Sequence, residues 1–296
     1  MTTALDRLGR VGVWSSAIPS RPAAELRESL AELEALDYPA IWFGEAFSRE
    51  NLSTSALALS WTRELIVATG ITNVYARDPV AANAGAKTLG EAFPGRFVLG
   101  LGVSHAHAVA ARGQEYRPPV ATMRAYLDRM EAAPYRGPEP AGRVPVVLAA
   151  LGPKMLDLAR ERSDGAHPYF VPVEHTALAR ERLGADKVLA PEQAVILTDD
   201  ADRARELARE HVAFYMTAPN YRNNMLRLGF EEADLADGGS ERLQDAIVVW
   251  GDEDAIRARV KAHLDAGADH VCIQTLPSGE LDLDALRRLA PALLEL

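Results

Sequence analysis

The stretch Leu65-Ile66-Val67-Ala68-Thr69-Gly70-Ile71-Thr72, a helical segment from Pro79 to about Ala92, the turn Pro94-Gly95 and Arg96-Phe97-Val98-Leu99-Gly100-Leu101 decide the fold. Two short apolar runs rich in β-branched residues flank an amphipathic helix that opens on proline, which suits a first helical turn. Strands apolar on both faces, joined through a helix, pair in parallel and are covered by helices on the outside.

The same rhythm extends outward in both directions. Upstream lie the strands Arg10-Val11-Gly12-Val13-Trp14-Ser15 and Ala40-Ile41-Trp42-Phe43-Gly44. Between them Ser20 and Pro22 read as cap and early-turn proline of a helix striped with Leu26, Leu30 and Leu33; a second helix is expected over 53–62. Downstream, strands are expected at Val146-Val147-Leu148-Ala149, over 165–171, at Ala194-Val195-Ile196-Leu197-Thr198 and at His270-Val271-Cys272-Ile273-Gln274. Helices begin near Pro153 and, capped by Asp199 and Asp200, at Ala201; another carries Ile256, Val260 and Leu264 on one face and ends at Gly267. The stretch rich in Pro and Gly from Pro134 to Pro145 reads as a loop at the bottom of the sheet.

Eight strands alternating with helices predict an α/β (β/α)8 TIM barrel, which removes every exposed sheet edge. One domain over 1–296 is expected, with an insertion at 217–245 between the seventh and eighth strands. There Pro219, Asn223-Asn224 and Gly238-Gly239 break the rhythm, and the segment reads as a lid over the mouth of the barrel or as a crossover helix plus loop. Barrels of this kind place their active sites at the C-terminal ends of the strands.

Composition narrows the classes of function. With 48 % hydrophobic and 25 % charged residues the chain builds an ordinary globular core. A net charge of −10 argues against unspecific binding to nucleic acid or anionic membranes, so a small-molecule substrate is expected. No apolar run approaches the roughly 18 residues of a membrane span. Met1-Thr2-Thr3-Ala4 lacks a basic start with an apolar core behind it, and Cys272 is the only cysteine; both point to a cytoplasmic protein. Within its apolar run, Cys272 reads as a packed strand residue.

Candidate site residues cluster at the predicted strand ends. Glu45, directly after the second strand, is placed for catalysis or ligand binding, or for a structural hydrogen bond to nearby backbone. In Leu99-Gly100-Leu101-Gly102-Val103-Ser104-His105 two glycines have dinucleotide-motif spacing, but the third position is His105 and the turn is the fourth, so this is no Rossmann phosphate loop. Glycines here let a flat ligand approach the backbone, and His105 is placed for proton transfer. His105 and His107 lack a third metal ligand at suitable spacing, so no metal is expected. In Ala149-Ala150-Leu151-Gly152-Pro153-Lys154-Met155 a strand ends and a helix begins; free N–H groups and the Lys154 ammonium make a phosphate site, or an ordinary capped turn. His167 and Tyr169 on the sixth strand either enter the same pocket or pack, and Trp14 at the end of the first strand shapes it.

At these residues the sequence resembles the luciferase-like flavin and deazaflavin oxidoreductases. The likeness is carried by Ala68-Thr69-Gly70-Ile71-Thr72-Asn73, Arg77-Asp78-Pro79, the run from Phe93 to Gly102, Gly152-Pro153-Lys154-Met155 and Asp164-Gly165. Trp42-Phe43-Gly44-Glu45-Ala46, Gly102-Val103-Ser104-His105 and His167-Pro168-Tyr169-Phe170 look most like the branch that uses coenzyme F420, an 8-hydroxy-5-deazaflavin. The resemblance implies hydride transfer between the cofactor and a C=C, C=O or alcohol substrate. It implies a bulge with a cis Gly70–Ile71 peptide behind the deazaflavin ring and Asn73 beside the ring or substrate. It further implies cofactor contacts at Val103 and Ser104, phosphate at the Gly152–Met155 turn, and a homodimer. Relatives that oxidise sugar phosphates carry a histidine at the position of Ala46 and a glutamate at that of His105, which turns the expectation away from that substrate class. The rival readings are an FMN-dependent monooxygenase on the same barrel and a cofactor-binding barrel without catalysis.

Overall fold

In the computed structural model, which describes residues 3–296, every strand pairing is parallel. Met1 and Thr2, part of the N-terminal stretch read for a targeting signal, lie outside the described residues. The strands are β1 (Val11–Trp14), β2 (Ala40–Phe43), β3 (Ile66–Thr69), β4 (Thr72–Asn73), β5 (Phe97–Gly102), β6 (Val146–Leu148), β7 (Gly165–Ala166), β8 (Val188–Leu189), β9 (Glu192–Leu197), β10 (Val248–Gly251) and β11 (Val271–Thr275). Their order is β10-β9-β11-β1-β2-β3-β5-β6-β7-β8, with β4 beside β5. β8 and β9 are one stave interrupted at Ala190-Pro191. On one side Ala190 and Glu192 donate to the carbonyls of Ala166 and Pro168; on the other, Asp269 and Cys272 donate to those of Leu189 and Pro191. That stave joins the two ends of the sheet, and the barrel expected from the sequence closes.

The helices are α1 (Ala23–Ala35), α2 (Asn51–Trp61), α3 (Pro79–Ala92), α4 (Ala106–Ala110), α5 (Pro119–Glu131), α6 (Pro153–Arg162), α7 (Val173–Leu183), α8 (Ala201–Met216), α9 (Pro219–Arg227), α10 (Glu241–Ile247), α11 (Glu253–Asp265) and α12 (Leu283–Leu293). Local chemistry explains their starts. Asp78 accepts from Val80 and Ala81 ahead of α3, with Pro79 in the first turn, and Asp200 accepts from Arg203 at α8. The first helix differs from the reading: Pro22 is its cap and Ser20 takes no part. Among the described residues no helix is long and apolar enough to cross a membrane.

Three boundaries depart from the sequence reading. The sixth stave ends at Ala166 rather than Val171: Pro168 has no N–H to continue the ladder, and Phe170 takes a left-handed backbone (φ 57°). The seventh begins at Val188, where two residues before Pro191 are too few to show alternation. β10 was not expected: it follows α10 with no turn residue between Ile247 and Val248, so its apolar run merges with that of the helix. The segment 217–245 is helical, comprising α9, a 3-10 turn at Glu232–Leu235 and most of α10.

Alternation along the staves separates two cores. Ile41, Phe43, Val67, Leu99, Leu101, Val271 and Ile273 face the helices. Ala40, Trp42, Ile66, Ala68, Val98, Val147, Ala190 and Cys272 fill the lumen, capped by Trp14. Continuing the inward series toward the C-terminal ends brings Gly44, covered by the Gly70 carbonyl and Trp14, Gly102, covered by the Ile71 side chain, and Ala149, with Glu192 and Gln274 on the opposite wall. The tightest approach is between β3 and β5. The Thr69 hydroxyl donates to the Gly100 carbonyl (2.9 Å) and accepts from the Gly100 amide (2.7 Å), and a Cβ on Gly100 would lie 1.7 Å from the Thr69 carbonyl oxygen. Gly100→Ala is therefore expected to cost about 3 kcal/mol or more, read as a lowered urea midpoint at unchanged m-value; a midpoint within error of wild type would contradict this packing.

Candidate functional site

The mouth is organised by the break between β3 and β4. The Gly70–Ile71 peptide is cis, as the resemblance implied, and neighbouring groups hold the backbone on both sides of it. Gly70 N–H donates to Phe43 (2.8 Å), and the Gly70 carbonyl accepts from Trp14 Nε1 (3.0 Å). The Ile71 carbonyl accepts from Glu45 N–H (3.0 Å) and Asn51 Nδ2 (3.2 Å). Trp14 is thus a prop beneath the bulge, packed against Tyr169 with ring centroids 4.8 Å apart.

Glu45 has both carboxylate oxygens engaged. Arg77 binds them bidentately (2.9 and 2.5 Å), and the Asn73 amide donates to one of them (2.8 Å). The side chains of Arg77 and Glu45 are 9 % and 5 % exposed, so neither is open to a substrate. Arg77 also pairs with Glu50, which caps α2 through Leu52 and Ser53. Asn73 is buried, and its Oδ1 accepts from Tyr75 N–H (2.9 Å).

Along the rim, Ile71, Val103, Ser104, Ala149, Leu151, Gly152 and Pro153 are half-buried and form a continuous low wall over β4, β5 and β6. Ser104 turns the chain with φ 59° and delivers His105 to the cap position of α4. His105 Nδ1 donates to Asn220 Oδ1 on α9 (3.1 Å), which leaves Nε2 as the unprotonated nitrogen of a neutral ring. Burial lowers its pKa below the ordinary 6.5; the Asn220 bond works the other way, and His107, stacked on it with centroids 5.8 Å apart, lowers it further. Further round, α6 starts at Gly152 with no side-chain cap, Lys154 is exposed, and Ala150 and Met155 are buried behind the turn.

The opposite wall is aromatic. The Tyr169 hydroxyl donates to Gln274 Oε1 (2.7 Å) and lies 2.7 Å from the Tyr215 hydroxyl, while Tyr221 packs against Tyr169, Phe170 and Tyr215. Beneath it Glu192 is 1 % exposed. One oxygen accepts from Phe170 N–H (3.1 Å), the other has no partner, and burial pushes its pKa up to about 8. His167 is also beneath the mouth. It stacks on Trp42 at 4.7 Å and donates from Nδ1 to Ala190 (2.7 Å); its unpartnered Nε2 lies 2.7 Å from where a Gly70 Cβ would stand. Burial holds its pKa near 4, so it is neutral.

The model of the luciferase-like monooxygenase family matches residues 7–270. The chain belongs to that family. Among similar proteins, a 5,10-methylenetetrahydromethanopterin reductase of Methanolobus tindarius is 25 % identical, covering 86 % of this chain and 91 % of the relative. The coenzyme F420-dependent tetrahydromethanopterin reductase of Methanopyrus kandleri superposes with a TM-score of 0.79 at 17 % identity, over 97 % of this chain and 99 % of that one. An F420-dependent secondary alcohol dehydrogenase, solved with an F420–acetone adduct, superposes with a TM-score of 0.75 at 16 % identity over 99 % of both chains.

In this luciferase-like barrel the structure gathers Gly70, Ile71, Asn73, Gly102, Val103, Ser104, His105 and the Gly152 turn around one mouth. It sets Glu45 and His167 behind that surface. Sequence reasoning missed Asn220, Arg77 and Glu192 as neighbours of the site. Arg77 stood in the family motif with Asp78-Pro79, so its basic charge 32 residues after Glu45 was a usable signal. Asn220 and Glu192 gave none, being ordinary polar residues beside prolines. Because Glu192 is held protonated when folded but ionises near 4.5 when unfolded, folding stability falls as pH rises from about 4.5 to about 8. Glu192→Gln should therefore gain on wild type across that window, measured as a melting-temperature difference that widens with pH; a constant or shrinking difference would mean an ionised Glu192.

Proposed function

We propose that this protein is a coenzyme F420-dependent oxidoreductase that moves a hydride between the cofactor and a small alcohol, carbonyl or activated C=C substrate. The observation that carries it is the neutral His105, with its free Nε2, at one mouth with a low apolar rim and a cationic helix start. Family membership and the F420-dependent enzymes among the similar structures support the cofactor. The residues present fit such a group. Ile71, packed over Gly102, and the short side chain of Ala149 present a low apolar surface that suits a flat ring, while Gly152 to Met155, with Lys154 on the first turn, suits its phosphate. F420, when bound, supplies a ring carbon that gives or takes hydride.

The chain's own part is positioning and proton transfer. Trp14 and Asn51 hold the bulge from below, and Glu45, tied to Arg77, fixes the Asn73 backbone beside it; Glu45 therefore orients and does not act as an acid. Val103, Ser104, Ala149 and Tyr169 line the cofactor's surroundings, Ala150 packs behind them, and His167 supports Gly70 from the lumen. His105 Nε2 accepts the hydroxyl proton of an alcohol as it is oxidised, or, once protonated, returns it to a nascent alkoxide. The segment 217–245 covers the mouth as a lid, with Asn220 reaching His105. The buried, unpaired Cys272 suits a cytoplasmic setting. Exposed Leu57 on α2 and Val80 on the adjacent α3 suit a homodimer through that face.

Parallel fluorescence titrations with F420 and FMN test the cofactor: micromolar or tighter F420 binding with FMN much weaker is expected, and the reverse order would move the protein to FMN-dependent oxygenation. His105→Ala should cut turnover by about 100-fold or more while F420 affinity stays close to wild type. Alcohol oxidation should rise with pH to a plateau whose midpoint lies below the ordinary histidine value of 6.5; unchanged turnover in the variant would remove His105 from the chemistry.

A further inference from the structure

We infer that α9, the first helix of the insertion, supplies the counter-charge for the cofactor's phosphate, with Arg227 facing the start of α6 and Asn224 holding it there. The inference rests on the cofactor reading above. A Cβ built on Gly152 would lie 3.4 Å from Arg227 Nη1 and 3.8 Å from Nη2, so the guanidinium lies against the cap residue of α6. Arg227 Nη1 donates to Asn224 Oδ1 (3.3 Å). Asn224 is 1 % exposed, yet its Nδ2 has no hydrogen-bond partner. A buried amide donor left unpaired is unfavourable, and an anionic oxygen bound beside Arg227 would supply an acceptor.

The charges agree with that reading. Among the described residues neither Arg227 nor Lys154 has a carboxylate partner, although in this acidic chain Arg77, Arg162, Arg180 and Arg205 are all ion-paired. α6 runs ten residues with no side-chain cap, so the positive end of its dipole is uncompensated. His175 donates from Nε2 to the Leu151 carbonyl (2.9 Å) and fixes the loop just before Gly152. Arg227 thus faces the uncapped start of α6, with Lys154 on its first turn and the unpaired Asn224 amide one turn back along α9.

Spacing along α9 adds a consequence. Asn220, Asn224 and Arg227 stand at i, i+4 and i+7 and share one face of the helix, while Tyr221 and Met225 pack into the core on the other. Asn220 grips His105, and Arg227 stands two turns on, about 10 Å along the axis. One rigid helix thus spans from the proton-transfer group to the phosphate.

The ligand chemistry is a phosphate ester, which F420 carries as a diester and FMN as a monoester. Binding of F420, of its 8-hydroxy-5-deazaflavin ribityl core without phosphate, and of FMN is to be measured for wild type, Arg227→Ala, Arg227→Lys and Asn224→Leu, with melting curves to confirm folding. Arg227→Ala should weaken F420 at least tenfold and leave the phosphate-free core unchanged; Arg227→Lys should recover part of the loss, and Asn224→Leu should fall between. Equal losses for F420 and core, or no loss for either, would overturn the inference and leave the cofactor reading intact. FMN binding that depends on Arg227, with no F420 binding, would overturn the deazaflavin reading and keep Arg227 as the phosphate ligand. Binding of none of the three by wild type would overturn both.

Discussion

A carboxylate buried between two strands must find all its partners inside the protein, and Glu45 finds Arg77 on its outer side and the Asn73 amide on its inner side. Removing Arg77 would leave the Glu45 carboxylate as an uncompensated charge in a place of low polarity. The pair therefore fixes the return of the chain from β3 into β4, and with it the carbonyl of Ile71 and the bulge that forms the rim. Through Glu50 the same arginine secures the first turn of α2. The wall of the mouth formed by β2 to β5 hangs on this one ion pair, whose cost of desolvation is met by geometry rather than by exposure to water.

The lumen below follows the opposite policy. His167 and His270 are held neutral by burial, each donating one N–H to a backbone carbonyl, and Glu192 is held protonated. Trp42 fills the space between the two imidazoles, stacked on one and donating to the other. Polar shapes are thus packed into the barrel without net charge, so the field at the mouth is set by its own few groups. Arg227 and Lys154 at the α6 terminus have no carboxylate partner among the described residues, in a protein whose overall charge would otherwise repel an anion.

The barrel was legible because its signal is repeated: each stave shows an apolar run, each helix a stripe and a start residue, and errors at one boundary do not alter the count. What failed to show was local. Val188-Leu189 is too short for alternation, β10 abuts its helix without a turn, and Phe170 adopts a backbone that its residue type does not announce. Strand-end residues such as His105 and the Gly152 turn were legible as candidates because the fold dictates which residues emerge at the mouth. The partners that define their chemistry were not. Asn220 and Arg227 reach the mouth from 115 and 75 residues downstream of His105 and Gly152, and only packing brings them there. Glu45 shows the reverse case: its position was read correctly, but its role depends on Arg77, which leaves no free oxygen.

The placement of α9 has a bearing on how such a barrel can diversify. An insertion between two staves would seem a free region, open to exchange without harm to the scaffold. Here one face of one short helix touches both ends of the mouth, and its other face is part of the core under Tyr169. Sequence drift in this segment would therefore alter ligand retention, the bias of the histidine ring and the packing of the aromatic wall together. Acquiring a new substrate through this loop is a coupled problem, solved by replacing the helix as a unit more readily than by changing its residues one at a time.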